Sequence, residues 1–367
     1  MPPSPDQLQA LGLEAARAGR LFEAEDALQA ALDQTGHVHA AANLAAILQR
    51  QGRPGAACAV LHPHLRGGAH HPIGWNTLGV ALMDQGHLAE AAGCFQRSAD
   101  QDGSNPVPLV NLHGAVFDDQ DLAPARGVLE RAAAVRRHDP AVRFHLGVLW
   151  GLLAPQAADR HFEVLPTDAA AWVDSWHHVL QTRDAHTRVF GSTAATLRYA
   201  ARIARVEGMV VELGVRFGTT ARILHAATGQ TIHGFDTFEG LPEAWHTVPA
   251  GAYSTGGQVP DLGREIHLHR GLFAETVPPF VDETPGAMRL VHVDCDLYGS
   301  TVDALEALAG RVVPGTILVF DEYLMNPHWR DDEHAALLDV ARNHRWTFRY
   351  AAFSLFSHQA VVEILST

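Results

Sequence analysis

Hydrophobic positions in the first half of the chain recur with a period of 34 residues. Leucine returns at this interval in four successive segments, at Leu44, Leu78, Leu112 and Leu146. Alanine returns at the same interval, at Ala57, Ala91 and Ala125, and glycine marks the turn inside two segments, at Gly52 and Gly86. Small residues let two antiparallel helices approach, and leucines fill the face between neighbouring pairs. The pattern therefore predicts a stacked array of helical pairs.

The pattern changes from Met209 onward, where short β-branched runs alternate with helical stretches. The runs read MVVELG, TIHGFD, EIHLHRG, RLVHVDCD and TILVFDEY. Two later runs, RWTFRYAAF and QAVVEIL, are predicted to form a closing hairpin. Apolar strands separated by helices are typical of a parallel sheet that is covered on both faces. The second half is therefore predicted to be a doubly wound α/β domain.

The chain has 367 residues, more than one hydrophobic core usually serves, so two domains are expected. We predict a repeat domain over residues 1–165, a connector over 166–190 and an α/β domain over 191–367.

Charge and cysteine content narrow the classes of partner and compartment. The chain has 41 acidic and 27 basic side chains, a net charge of -14, which disfavours nucleic acid or an anionic membrane as the main partner. Three cysteines are too few and too scattered for a disulfide framework or a four-ligand zinc site, and they fit a reducing cytoplasm. Neither an export signal nor an apolar run of about 18 residues is apparent, so a cytoplasmic protein without a membrane span is expected.

The stretch VELGVRFGTT follows the first long strand of the α/β half and has features of a cofactor loop. It contains Glu212, Gly214 and Gly218, and the next strand ends at Asp236. Glycines let a cofactor approach the backbone, and an acid at the end of the second strand can accept both ribose hydroxyls. The third glycine of a dinucleotide loop is absent, which favours S-adenosylmethionine, a sulfonium cation without phosphate. A nucleotide site and a vestigial loop are the alternatives.

Two acidic pairs stand where two apolar strands end: Asp294 with Asp296, and Asp321 with Glu322. Residues two apart on a strand share a face, and neighbouring parallel strands end at one edge of the sheet. Carboxylates brought together there repel one another and raise their pKa values unless a cation intervenes. All-oxygen ligands favour Mg²⁺, which would acidify a bound hydroxyl so that a nearby carboxylate could take its proton. Alternatively, one of these acids caps the following helix.

Four ordered motifs carry a resemblance to a known family: ELGVRFGTT, GFDTFEGLPE, HVDCDLYGST and PGTILVFDEY. Together they resemble the macrocin O-methyltransferase family, metal-dependent enzymes that methylate sugar hydroxyls, over about residues 190–350. The repeats resemble tetratricopeptide repeats over about residues 6–165. These resemblances imply a tetratricopeptide-repeat solenoid followed by a Rossmann-like class I methyltransferase domain that uses S-adenosylmethionine and Mg²⁺.

The resemblance also implies roles for individual residues. The metal ligands would be Asp294, Asp321 and Glu322, the general base Asp296, and the cofactor-binding residues Glu212, Gly214, Gly218 and Asp236. Tyr298 is expected near the substrate, and the segment from Pro242 to Gly263 is expected to form a mobile cover. The chain departs from the family pattern at Glu322 and Thr316, where the family has aspartate and glycine. The longer arm of Glu322 could move the metal or leave it two protein ligands.

The expected activity is methyl transfer to a hydroxyl of a sugar or glycoconjugate, with a small molecule or a glycan as the acceptor. The repeats suggest a protein partner. His328, shortly after the second acidic pair, is an alternative base. Two other hypotheses stay open: a repeat-based binding protein with a non-catalytic S-adenosylmethionine domain, and a protein methyltransferase whose substrate is captured by the repeats.

Overall fold

The structure, a computed structural model, describes residues 3–66 and 69–367. Its internal contacts divide the chain into two compact units, one comprising Met1–Val116 and Pro124–Arg137, the other Phe117–Ala123 and His138–Thr367. The domain boundaries given above follow the repeat pattern rather than these contacts, and they stay a prediction. No helix among the described residues is both long and apolar enough to cross a membrane.

Among the described residues the first unit has eight helices, and consecutive helices among the first seven pack against each other. They are α1 (Pro5–Arg17), α2 (Leu21–Thr35), α3 (Val38–Arg50), α4 (Pro54–Leu65), α5 (Pro72–Asp84), α6 (Leu88–Gln101), α7 (Val107–Ala115) and α8 (Ala123–Val135). The repeated leucines Leu44, Leu78 and Leu112 are buried, as are the three repeated alanines. Gly52 and Gly86 both adopt φ +79°, a left-handed conformation that glycine takes without steric cost. The predicted array of helical pairs is confirmed.

The second unit combines helices with an eight-stranded sheet. Its helices are α9 (Pro140–Leu153), α10 (Asp159–Phe162), α11 (Ala170–Thr182), α12 (Thr193–Ile203), α13 (Thr219–Thr228), α14 (Phe273–Glu283), α15 (Tyr298–Leu308) and α16 (Glu333–Asn343). Its strands are β1 (Arg188–Val189), β2 (Gly208–Leu213), β3 (Ile232–Asp236), β4 (Ile266–Arg270), β5 (Ala287–Val293), β6 (Ile317–Phe320), β7 (Thr347–Phe353) and β8 (Ala360–Ser366).

The strand order across the sheet is β1-β7-β8-β6-β5-β2-β3-β4. Strands β2 to β6 pair in parallel, whereas β8 lies antiparallel between β6 and β7. The closing hairpin is thus confirmed, while β1 was not predicted because two residues give no periodic signal. Strand order reverses between β2 and β5, and ligands of doubly wound sheets bind beyond the carboxyl ends of the strands at such a point.

Helices cover both faces of the sheet, as the continuous apolar strands predict. Val210 belongs to a core with residues of α12 and α13, and its neighbour Val211 belongs to a second core with residues of α14, α15 and α16. Phe144 of α9 and Trp176 of α11 pack in that second core as well. Because successive strand residues face opposite sides, each strand serves both cores and must be apolar throughout.

Thr316, which stands where glycine is usual in the family, has a local structural role. Its side chain is buried, and its hydroxyl donates to the Met288 carbonyl at 2.7 Å and accepts from the Val313 amide at 3.0 Å. The hydroxyl therefore ties the start of β6 to β5.

Two buried histidines, His178 of α11 and His334 of α16, lie with their ring centroids 5.1 Å apart. The pKa of each is lowered to about 4, by burial first and then by nearby positive charge, from His334 and Arg330 for His178 and from Arg330 for His334. Nε2 of His178 and Nδ1 of His334 have no hydrogen-bond partner among the described residues. The folded unit therefore holds both rings neutral under conditions in which the unfolded chain protonates them.

We predict that this pair makes the second unit sensitive to acid. A histidine whose pKa falls from 6.5 to about 4 on folding removes stability as pH drops from about 6.5 towards 4, because the unfolded state binds the proton first. Between pH 7 and pH 5 the free energy of unfolding should fall by about 2 kcal/mol per histidine. Urea unfolding of the native protein and of His178→Leu at both pH values checks this; an identical pH dependence in the two proteins would contradict it.

Candidate active site

A cavity of about 570 Å³ opens at the carboxyl ends of β2, β3, β5 and β6. Its size is within the range of small-molecule sites. Six of the eight predicted site residues line it: Gly214, Asp236, Asp294, Asp296, Asp321 and Glu322. The strand-end argument thus places both acidic pairs and part of the glycine loop around one space.

Gly214 begins the loop after β2 in a conformation that requires glycine. Its φ is +90°, and a Cβ atom at this position would lie 2.0 Å from the carbonyl oxygen of Asp294. Its amide donates to the carbonyl of Phe235 at 2.9 Å. The missing side chain therefore allows the loop after β2 and the segment after β5 to touch, which brings the cofactor loop next to the first acidic pair.

Asp236, the last residue of β3, organises the same loop through its carboxylate. Oδ2 accepts hydrogen bonds from the amides of Val215 and Arg216 at 2.8 and 2.7 Å, and Oδ1 accepts from the amide of Phe238 at 2.7 Å. The side chain also lines the cavity. Its predicted role towards ribose hydroxyls stays a prediction; what the geometry gives is a carboxylate that fixes the loop from the neighbouring strand.

Two predicted cofactor residues, Glu212 and Gly218, are not among the residues that line the cavity. Glu212 is fully buried, and its Oε1 lies 3.0 Å from Nδ1 of His292. Gly218, the residue before α13, has φ +73°, and a Cβ there would lie 2.3 Å from Leu262. The spacing in the sequence identifies the loop but not the direction in which each side chain points. A cofactor role for these two residues stays a prediction.

The first acidic pair lies in a turn rather than on a strand, because β5 ends at Val293. The amide of Leu297 donates to the carbonyl of Cys295 at 2.6 Å, and Asp296 between them has φ +59°. A non-glycine residue in this region is strained, and such strain is concentrated at functional sites. Strand alternation therefore does not explain why Asp294 and Asp296 face one cavity; this tight turn does.

The pKa values of Asp294 and Asp296 are raised, in part by repulsion from the second acidic pair. Burial and then the charge of Asp321 raise the pKa of Asp294 well above its usual value. Burial, followed by the charges of Glu322 and Asp321, raises the pKa of Asp296 to about 7. The two acidic pairs are therefore close enough to act on each other, as the sequence predicts.

Several groups that sequence reasoning missed offset this negative charge. His292 Nε2 lies 3.6 Å from Asp321 Oδ1; burial alone would lower the pKa of His292, but Asp321 and Glu212 raise it well above its usual value. His358 Nδ1 lies 3.1 Å from Glu322 Oε2, and the amide of the Gln359 side chain donates to Asp321 Oδ1. Only the position of His292, two residues before the first acidic pair, offered a signal in the sequence.

The donor types fit a hard divalent cation. The acids at the two strand ends supply only oxygen, and the pKa values of Asp294 and Asp296 are raised by burial and then by neighbouring carboxylates, a repulsion that a cation would relieve. In residues 3–66 and 69–367, however, no group of three His, Cys, Asp or Glu side chains is arranged to hold a metal ion. Hydrogen bonds from Gln359 and His358 engage one oxygen each of Asp321 and Glu322. The metal prediction is therefore supported by the chemistry of the donors and not by their present arrangement.

The predicted cover, Pro242 to Gly263, contributes Tyr253 to the cavity wall. The guanidinium of Arg216 lies over the Tyr253 ring, 5.4 Å from its centroid. Nε1 of Trp245 and Nε2 of His246 lie 3.1 and 3.0 Å from Oδ2 of Asp332. These contacts attach the segment at both its start and its middle.

The two other expected participants lie elsewhere. His328 stacks on the ring of His246 with centroids 4.0 Å apart, and Tyr298 is 40% exposed with its hydroxyl 2.9 Å from Oδ2 of Asp339. Neither is among the residues that line the cavity.

The segment that forms this cavity has recognisable relatives. Residues 211–323, from β2 to just beyond β6, match the protein family described as a methyltransferase domain. The chain carries a methyltransferase domain.

Two curated relatives match this part of the chain. A rhamnosyl-tetracenomycin C 4'-O-methyltransferase of Streptomyces olivaceus is 27% identical over 39% of this chain and 64% of its own length. Demethyldecarbamoylnovobiocin O-methyltransferase of Streptomyces niveus is 28% identical over 37% of this chain and 61% of its own length. The chain therefore spans less than two thirds of either relative.

Solved structures that are similar to part of this chain include that of the calicheamicin methyltransferase CalS11, which is 26% identical in sequence. The similarity covers 46% of this chain and 77% of CalS11, with a TM-score of 0.39.

We predict that Gly214→Ala damages the methyltransferase domain far more than the same change at a second left-handed glycine. The new methyl group would meet the Asp294 carbonyl, so the free energy of unfolding should fall by roughly 3 kcal/mol and the loop should lose its cofactor. Gly229→Ala is the matched control, since φ is +65° there and no heavy atom lies within 4 Å of a Cβ; its expected cost is about 1 kcal/mol. Denaturant unfolding and calorimetric titration with S-adenosylmethionine measure both effects, and equal costs would disprove the close approach.

Proposed function

We propose that this chain is a metal-assisted O-methyltransferase that transfers the methyl group of S-adenosylmethionine to a hydroxyl of a sugar or glycoconjugate. The observation that carries the proposal is a single cavity lined by Gly214, by Asp236 and by both acidic pairs. A cavity of this kind can hold donor and acceptor next to each other, and such positioning supplies a large part of a transfer reaction's acceleration.

The loop after β2 and the end of β3 would hold the cofactor. Gly214 leaves room for close approach to the backbone, and Asp236 keeps the loop in place through its three hydrogen bonds. S-adenosylmethionine, when bound, supplies a methyl group on a positively charged sulfur. The carboxylates of the cavity favour that charge.

The metal ligands in this proposal are Asp294, Asp321 and Glu322. A bound Mg²⁺ would supply Lewis acidity that makes the acceptor hydroxyl easier to deprotonate. The support is the oxygen-only donor set and the raised pKa of Asp294 beside Asp321.

Asp296 would act as the general base. It lines the same cavity, it is not assigned to the metal, and it follows the end of β5 in a turn closed by the Leu297 amide and the Cys295 carbonyl. The proton lost by the acceptor hydroxyl would pass to its carboxylate. Arg216, whose charge acts on Asp296, would limit the build-up of negative charge before that transfer.

The acceptor class is taken from the relatives. The printed name of one relative describes methylation of a rhamnosyl group, and a sugar hydroxyl is accordingly the acceptor proposed for this chain. The first unit would serve a protein partner, and a cytoplasmic location remains part of the proposal because Cys58, Cys94 and Cys295 are free thiols.

Removal of divalent cations should abolish methyl transfer, and Mg²⁺ should restore it. Asp294→Asn should weaken Mg²⁺ binding by about 10-fold or more, since even indirect partners of a metal contribute that much. Transfer of labelled methyl to nucleotide sugars and rhamnosides, with and without chelator, provides the measurement. Undiminished transfer after complete chelation would refute the metal-assisted mechanism.

Asp296→Asn should lower kcat by about 100-fold or more, the usual contribution of a positioned general base. Affinity for S-adenosylmethionine should change by less than about 2-fold, because the substitution keeps the shape of the side chain. Asp282→Asn, an exposed position of α14, is the control for the chemical change. Steady-state kinetics on a confirmed acceptor decides; a kcat equal to that of the control would remove Asp296 from the reaction.

A non-catalytic binding protein is the second candidate. It is favoured by one observation, that Gln359 and His358 already provide hydrogen bonds to Asp321 and Glu322. Calorimetry separates the two functions: cofactor binding without cation-dependent methyl transfer, even in Glu322→Asp, would support the binding protein.

A further inference from the structure

Glu333, the first residue of α16, is a fully buried acid that does not line the cavity. A glutamate is almost never buried completely unless its charge is paired or hydrogen-bonded. The chain places this one among other acids rather than beside a base. Burial, followed by the charges of Asp296 and Asp321, raises its pKa well above the usual value.

The hydrogen bonds of Glu333 connect the two acidic segments. Its Oε1 accepts from the amide of Cys295 at 3.2 Å, and its Oε2 accepts from the amide of Glu322 at 3.2 Å. Cys295 stands between the two acids of the first pair, and Glu322 belongs to the second pair. One carboxylate thus bonds to the backbone of both pairs at once.

This connection lies beyond the point at which the sheet itself holds the two segments. Register pairing of β5 with β6 ends at Val293 opposite Phe320, and the amide of Asp321 donates to the Val293 carbonyl at 2.9 Å as the last bond between them. The residues that follow have left the strands. Without the carboxylate of Glu333, the buried amide of Cys295 and the partly buried amide of Glu322 would lose this acceptor, which costs free energy and loosens the backbone.

We propose that Glu333 is a positioning residue that fixes the separation of the two acidic pairs. The inference rests on the proposed function, since the pairs are there the metal ligands and the base. A carboxylate is rigid, so the distance between its two oxygens sets the distance between the two amides that it accepts. A displacement of about 1 Å at a reacting group can cost about 100-fold in rate, so this spacing controls the reaction without contact to the substrate.

Glu333→Gln tests the role with almost no change of shape. The amide side chain offers one carbonyl oxygen, so one of the two backbone amides meets an NH₂ group and loses its acceptor. We expect kcat to fall by about 10-fold or more and Mg²⁺ binding to weaken by a similar factor, while the KM for S-adenosylmethionine stays within about 2-fold. Glu306→Gln is the matched control, because Glu306 of α15 accepts at 2.9 Å from Asn343 of α16 away from the cavity; it should behave as the native protein.

Amide hydrogen exchange provides a readout that does not depend on activity. In the native protein the amides of Cys295 and Glu322 should exchange as slowly as the backbone amides of the core strands. In Glu333→Gln at least one of them should exchange about 10-fold faster or more, with no change in the Glu306→Gln control. If the native protein methylates no sugar acceptor, the proposed function fails, yet exchange and Mg²⁺ binding still decide the positioning role.

Three results would overturn the inference. The first is fast exchange of both amides in the native protein, which requires no variant. The second is a folded Glu333→Gln with native exchange rates, kcat and Mg²⁺ affinity. The third is a lower melting temperature with kcat and Mg²⁺ affinity unchanged below it, as a purely structural residue would give. Should Glu333→Gln not fold, Glu333→Asp keeps the carboxyl group but reaches only one of the two amides, and the same outcomes apply to it.

Discussion

The site depends on holding carboxylates together against their own repulsion, in surroundings with little water. Asp294, Asp296 and Glu333 all have pKa values raised by burial first and by neighbouring carboxylates second, among them Asp321 in each case. The parallel strands bring the two acidic pairs to one edge of the sheet, and a close contact at Gly214 brings the loop after β2 to the same edge. Positive or donating groups then arrive from β5, from the loop after β2 and from the turn before β8, so three separate elements must be in place for the acids to coexist.

Asp332, the residue before α16, and Glu333, its first residue, have two different roles. Asp332 binds Trp245 and His246 of the segment over the cavity, and the adjacent Glu333 binds the backbone of both acidic pairs. The start of α16 is therefore a shared support for the cover and for the acidic edge. A movement of this helix end would displace both the cover and the acidic pairs, because Asp332 and Glu333 are consecutive residues.

The fold was largely predictable because its signals are local. Leucines and alanines 34 residues apart reveal the helical pairs, and apolar runs that end in acids reveal the strands and their common edge. The strand β1 escaped because it is too short to have a period. The orientation of Glu212 towards His292 escaped for a different reason, since a glycine motif fixes the path of the backbone and leaves open whether its acid faces the cavity or the core.

The side chains that hydrogen-bond the acidic segments could not be predicted from the sequence. Glu333 meets segments 38 and 11 residues earlier in the chain, and only the tertiary position of α16 determines that contact. The same holds for His358 and Gln359, which reach the second acidic pair from the turn before β8.

That turn has a consequence for biosynthesis. A nascent chain that has emerged as far as Glu322 already contains all four acids of the edge and His292, but His358 and Gln359, which hydrogen-bond the second pair, are made more than 30 residues later. Until β8 inserts between β6 and β7, the edge carries unbalanced charge and β6 has an open side. The hydrogen-bonding partners of the second pair are thus synthesised after the acids themselves. The acidic edge of the sheet can reach its final arrangement only after β8 has docked.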